Sequence, residues 1–199
     1  GRPAEGREYY EAALDINREA GDRGSEGGAL GALGLLHQAQ GRPDEAREHY
    51  EVALAIHREV GNRREEGINQ GNLGDLLIQQ GETEAAETRL TEAVALCDET
   101  MPAAAGAFRG SLALLRARQG AIDEARALLA RGDQQLPGVY PLELGTLLCK
   151  RGEVARLAGD LDAARAARDE AASIVAETET GPDSELGQAV AVLTAALNQ

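Results

Sequence analysis

Three histidines, two cysteines and one glycine-rich run are the residues of this 199-residue chain whose types and spacing could do chemistry. A metal centre or a general base would have to draw on His37, His49 and His57. His49 and His57 stand eight residues apart, two turns along one face if they share a helix, and a metal ion wants more ligands than that pair supplies. The three lie in different places along the chain and form no Ser/His/Asp or Cys/His set, so they are expected at the surface or its boundary. Cys97 and Cys149 have no CxxC spacing and no clustered histidine, which makes free, buried thiols in a reducing compartment the expectation. The run Gly27-Gly28-Ala29-Leu30-Gly31-Ala32-Leu33-Gly34 has the glycine content of a phosphate-binding loop, but it lacks the Lys-Ser/Thr pair and any strand before it. Gly67-x-x-x-Gly71 is spacing for close helix packing. No catalytic residue, metal or cofactor is expected, and the chain is not read as an enzyme.

The elements that must position these residues repeat. A glycine, a short acidic turn and an alanine-rich stretch recur from Gly1, Gly41, Gly81, Gly120 and Gly159, at spacings of 40, 40, 39 and 39 residues. A fixed period in this range means stacked supersecondary units that bury their apolar faces only against neighbours. Residues 1–199 are therefore expected to form a single array. The chain opens on Gly1, partway through a unit, and is read as a segment of something longer.

Composition agrees with a helical stack. Hydrophobic residues make up 43% of the chain but aromatics only 3%, so packing must rest on Ala, Leu, Val and Gly. Most of the 24 glycines fall at unit junctions or where two helices would touch, since a helical Gly costs roughly 1 kcal/mol relative to Ala. The formal charge of −14, from 34 acidic and 20 basic residues, argues against nucleic-acid binding, which needs a basic face. There is no signal peptide and no apolar run near 18 residues, so no membrane partner is expected and the location read is cytoplasmic.

Within each unit the apolar period is helical. Ala46, Tyr50, Ala53, Leu54 and Ile56 form one stripe, ended by Gly61-Asn62, and Leu73, Leu76 and Leu77 form the next, ended by Gly81. The expected helices are 3–20, 25–39, 43–60, 64–79, 83–99, 103–118, 122–135, 141–157, 161–177 and 183–197, the last a capping helix. Pro3, Pro43, Pro102, Pro141 and Pro182 fall near helix starts, where a missing N–H is tolerated. Leu136-Pro137-Gly138-Val139-Tyr140-Pro141 is the one irregular connection.

These residues resemble the tetratricopeptide repeat. Leu33-Gly34, Gly41, Ala46, Tyr50 and Ala53 fill that family's slots in order, and Leu73-Gly74, Gly81, Ala86, Leu90 and Ala93 do so next. Leu112-Ala113, Gly120, Ala125 and Leu129 follow more loosely, with Pro137 where the family often ends a helix. Arg151 stands in the Leu slot before Gly152, and Arg168 in the aromatic slot of the following helix. The first unit begins at its second helix, with Gly6 in the alanine slot, which would leave the apolar face of Tyr10, Ala13, Leu14 and Ile16 partly uncovered. The resemblance implies an all-α, right-handed superhelical solenoid of about five antiparallel helix pairs. A period near 40 is similar to the longer-helix variety of kinesin light chains and bacterial signalling proteins. The run from Ala53 to Arg63 resembles the repeat tails of large bacterial regulators, namely protein kinases, nucleotide cyclases and STAND-type NTPases.

The resemblance also implies where a partner would sit. The first helix of each pair, helix A, lines the concave side of such arrays. Its register places Leu35, Gln38, Ile68, Asp75, Ile78, Leu114, Arg118, Glu153 and Arg156 in the groove, with Leu35, Ile68, Ile78 and Leu114 as an apolar strip. Gly31, Gly71 and Gly110 share one slot, where they admit close approach of a ligand or of a neighbouring helix, the second being the favoured reading. The chaperone-type carboxylate clamp is set aside, because no groove position holds Lys or Asn and Lys150 lies one residue outside. The function implied is a protein- or peptide-binding module, as sensor or scaffold in a larger bacterial signalling protein. The alternative is a scaffold that self-associates or packs on its own upstream domain.

Overall fold

The computed structural model describes residues 3–136 and 140–199, with side chains from residue 6 onward. Gly1 and Pro137, assigned a junction and a helix end above, lie outside the described residues. The described chain is all-α: α1 (Pro3–Ala20), α2 (Arg23–Ala39), α3 (Pro43–Glu59), α4 (Arg63–Gln80), α5 (Thr83–Thr100), α6 (Pro102–Arg118), α7 (Ile122–Gln135), α8 (Pro141–Leu157), α9 (Leu161–Glu177) and α10 (Glu185–Leu197). Among the described residues there is no strand. The chain divides into two compact units, Gly1–Thr100 and Met101–Gln199. In the first, α2 packs on α3 and α4 on α5, with α1 laid against α2; in the second, α6 packs on α7 and α8 on α9, with α10 against both α8 and α9.

The turns explain why the helices stop where they do. After α2, Gly41 takes a φ of 70°, its N–H donates to the Gln38 carbonyl, and the Arg42 N–H reaches back to the His37 carbonyl at 3.0 Å. That pair of bonds is the glycine-terminated helix end in which a left-handed residue satisfies the last carbonyls. Gly81 repeats it with a φ of 80°, Glu82 donating to the Leu77 carbonyl at 2.9 Å. Side-chain caps then set the starts. Asp22 accepts from the Ser25 N–H at 3.0 Å, so α2 begins two residues before the expected 25. Ser184 accepts from the Gly187 N–H at 3.0 Å, so α10 begins at Glu185 rather than 183. Pro43, Pro102 and Pro141 each occupy the first turn of a helix.

The core lies where the repeated slots meet. Ala46, Ala86, Ala125 and Ala164 are fully buried, as are Tyr50 and Leu90. A Cβ on Gly34 would lie 2.5 Å from the Tyr50 ring, and one on Gly74 would lie 2.7 Å from Leu90. The Leu-Gly pair of helix A is thus the bed on which the large residue of the second helix of the pair rests. In unit 1, Leu14, Ala29, Leu30, Leu33, Ala53 and Ile56 form one cluster with Tyr10 against it. Leu14 is buried there, while Tyr10 and Ala13 are half-buried and Ile16 is 65% exposed, so the α1 stripe is partly uncovered, with Tyr9 beside it 70% exposed. In unit 2, Ala113, Ala125, Leu129, Leu147 and Val154 belong to one cluster, and Leu148, Cys149, Ala171 and Leu186 to another.

Candidate functional site

The groove residues expected from the register divide between the two units. In unit 1, Leu35 on α2 is 50% exposed, while Ile68, Asp75 and Ile78 on α4 are half-buried. Gln38 is held by the Tyr50 hydroxyl, which donates to its Oε1 at 2.9 Å. The two helices are brought together at Gly31, where an added Cβ would lie 2.7 Å from Asn69 Oδ1. In unit 2, Leu114 on α6 is half-buried and Arg118 exposed. On α8, Arg156 meets Glu153 through two bonds of 2.8 Å, and that carboxylate pushes the guanidinium pKa up from its ordinary value. Gly110 matches Gly31, since its Cβ would meet Leu147 of α8 at 2.7 Å. At both positions the missing side chain serves helix-on-helix packing. Cys149, Gly71 and Ala117, which the same register places in the groove, are buried.

Two of the three histidines, His37 and His57, are interior rather than at the surface or its boundary, and His49 stands at the boundary. His57 is fully buried, His37 is 6% exposed, and His49 is half-buried with its ring 4.8 Å from that of His37. The Arg42 guanidinium donates to His37 Nδ1, and His49 Nδ1 bonds the Glu45 carbonyl at 2.7 Å. Burial holds the His57 ring below the usual imidazole range, against the opposing pull of Glu65, the Gly27 backbone and Glu66. Burial first, then Arg42 and His49, lowers His37 as well. The signal that places His57 is its slot, since it falls eleven residues after the buried Ala46, on the apolar stripe of α3.

A second group of buried polar residues carries no signal in residue type. Gln70 is fully buried and Arg109 is 1% exposed. Gln70 donates to Glu92 and accepts from Arg89 at 3.2 Å, while Arg109 donates to Gln135. Both stand four residues before the Gly34, Gly74, Ala113, Gly152 slot, where the other repeats place Leu30 and Leu148. The polar residue type masks a core position that the register alone marks. Lys150 bonds the buried Ser111 hydroxyl at 2.6 Å. Glu26, also buried, bonds Arg18 at 3.0 Å and Arg23, and these contacts hold its carboxyl below the usual range.

Cys97 and Cys149 are free and buried, and burial pushes each thiol up to about 11. A thiol so held is a poor nucleophile at neutral pH. Among the described residues, no three His, Cys, Asp or Glu side chains gather where they could hold a metal ion. No described helix is long and apolar enough to cross a membrane. A cleft of about 460 Å³ lies between α9 and α10, lined by Ala172, Val175, Ala176, Glu179, Gly181, Pro182, Gly187, Val190 and Ala191.

Comparison with known proteins falls on the same repeat. A family model described as tetratricopeptide repeat matches residues 1–59 and 25–99. The crystal structure of BtubC (BKLC) from P. vanneervenii is similar at 25% identity and a TM-score of 0.70, covering 91% of this chain and 76% of that one. A kinesin-light-chain candidate from Podosopora anserina with nearly identical TPR-like repeats is similar at 20% identity and a TM-score of 0.61, covering 90% of both chains. A single-substitution variant of that protein matches at 19% identity and a TM-score of 0.63, covering 90% of this chain and 89% of that one. No curated protein matches the chain.

Proposed function

The chain is a tetratricopeptide-repeat protein, and from that premise we propose that it is a binding module whose partner, a protein or an amphipathic or extended peptide, lies on the helix A faces. The observation that carries this is the incomplete burial of large apolar side chains on those faces. Leu35 is 50% exposed on α2, Ile68 and Ile78 are half-buried on α4, and Leu114 is half-buried on α6. Leu157 of α8, at 38%, continues the pattern in unit 2. Aliphatic residues left open on successive equivalent helices have little to do for the fold, and a partner that covered them would gain their transfer free energy. Gln38, Asp75, Arg118, Glu153 and Arg156 supply the polar rim in this reading. Residues 1–199 are taken as one array of repeat units. The larger setting proposed is the sensor or scaffold segment of a cytoplasmic bacterial signalling protein, on the likeness of residues 53–63 to repeat tails of such regulators.

The test is a peptide-display selection against the chain, followed by affinity measurement with the Ile78→Asp/Leu114→Asp double variant. Helicity by far-UV circular dichroism should be retained while binding weakens at least tenfold. Unchanged affinity in a folded double variant would sink the helix A reading. A second reading has its own support in the exposed Tyr9 and Ile16 of α1 and in Val192 of α10, 71% exposed. In it, these faces pack on a second copy or on another domain of the same protein. Sedimentation velocity over a wide concentration range separates the two, because a strict monomer removes self-association.

A further inference from the structure

All three histidines lie in unit 1, unit 2 holds none, and the binding role uses none of them. His57 near the end of α3 is enclosed completely, with its ring against the backbone of α2; a Cβ on Gly27 would lie 2.7 Å from its Cε1. Neither ring nitrogen makes a hydrogen bond of ordinary geometry among the described residues, and the pull of the Gly27 backbone on its proton is weaker than the effect of burial. The charged groups facing it from α4 are Glu65 and Glu66, engaged with Arg64 at 3.9 Å and with Arg58 at 2.7 Å. On α2, Glu26 beside Gly27 is already shared by Arg18 of α1 and Arg23. A proton on His57 would therefore create a buried cation whose nearby carboxylates are already engaged.

His37, near the end of α2, meets a different set. Arg42 of the following turn donates to its Nδ1, which requires a lone pair there, and His49 of α3 stacks 4.8 Å away. Arg7 of α1 adds a third basic group, against the single carboxylate of Glu45 on α3. Protonation removes the acceptor from Arg42 and sets like charges across the α2–α3 contact.

We propose that unit 1 is an acid-responsive element, in which protonation of His57 and His37 releases α2 from α3 while unit 2 stays closed. Both rings are held below the ordinary value of 6.5, so the opened form takes up protons first. Stability is then fullest above that value and is lost as the pH falls through it. A histidine that stays neutral when closed and titrates normally when open raises the opening constant about tenfold between pH 7.5 and 5.5, and two raise it about a hundredfold.

Native-state amide exchange on the whole chain at those two pH values, corrected for the intrinsic rates, reads the effect. The expected result is a rise of about a hundredfold in opening for α2 and α3, with α8 and α9 within about twofold. His57→Gln and His37→Gln each remove about a tenfold share of that rise. An equal rise in both units, or one that survives both substitutions, overturns the proposal. The wild-type chain supplies a check that no variant's folding can disturb: imidazole titration by NMR. Rings of His57 and His37 that remain neutral below pH 5.5 support the proposal, and rings that titrate at 6.5 or above refute it.

Discussion

Unit 1 and unit 2 use one helix-pair frame and fill it with different chemistry. Residues 1–100 carry 21 acidic and 10 basic side chains, a formal −11, while residues 101–199 carry 13 and 10, a formal −3. Unit 1 keeps Gly34 and Gly74 beneath Tyr50 and Leu90; unit 2 has Ala113 in the first of the equivalent slots and Arg168 in the last aromatic one. The slot four residues earlier shows most clearly what the frame demands. It holds Leu30, Gln70, Arg109 and Leu148, all buried. The backbone geometry decides that the position is interior, and side chains of quite different polarity are accommodated once their polar atoms find bonds, as Gln70 does with Glu92 and Arg89. Repeat identity is therefore carried by the small residues and the turns more than by the apolar ones.

The comparison breaks hardest at the glycine bed. Gly34→Val should lower the stability of unit 1 by about 3 kcal/mol, because its Cβ meets a fully buried Tyr50 ring at 2.5 Å and neither can yield. Ala113→Gly in the matching slot of unit 2 should cost only about 1 kcal/mol. Guanidinium chloride melts followed by circular dichroism test both, and equal losses would mean that the two beds are packed alike. A smaller effect should be common to both units. Each holds one thiol raised to about 11, so the stability that burial of the neutral thiol contributes is present at neutral pH and is lost as the pH rises from 9 to 11. The expected loss by pH 11 is about 2 kcal/mol per unit. Cys97→Ala and Cys149→Ala should each flatten the alkaline limb for their own unit.

Smaller still are the caps. Asn62→Ala removes the side chain that accepts from the Glu65 N–H at 3.3 Å and should destabilise unit 1 by about 1 kcal/mol. Ala121→Asp should stabilise unit 2 by a similar amount, about 0.5–1 kcal/mol, because α7 starts with no side-chain cap. Last, Gln70→Leu is expected to change stability by less than about 1 kcal/mol in either direction, since Leu30 and Leu148 fill that slot elsewhere and the partners Glu92 and Arg89 can turn to solvent. A loss beyond about 2 kcal/mol would show that the polar network, and not the slot, holds that pair of helices.

Much of the fold is legible along the chain for a local reason. The spans of α1, α7, α8 and α9 follow the apolar period and the flanking Gly and Pro residue for residue. The shifts at α2 and α10 come from Asp22 and Ser184, whose caps act over three residues and whose role depends on side-chain rotation. The candidate face is legible only as a register. Within it Leu35 is 50% exposed, whereas Cys149 and Ala117 turn inward, because how far a helix A residue is covered depends on the neighbouring helix A roughly 40 residues away. His37 and His57 sit inside rather than at the surface for the same reason: nothing local to His57 announces that Gly27, thirty residues earlier, will lie against its ring.

What the sequence determined by itself is the periodic part of the molecule. Glycines at fixed spacing take the left-handed turn that few other residues tolerate, and alanine and leucine between them repeat every three to four residues, so the helices and their pairing follow from nearest-neighbour physics. Tertiary structure decided which polar groups are shut in and with whom. Whether His37 keeps a lone pair for Arg42, and whether Arg109 or Gln70 becomes core, turns on the approach of helices far apart in the chain, and burial free energy depends on that approach rather than on the residue's own neighbours in sequence.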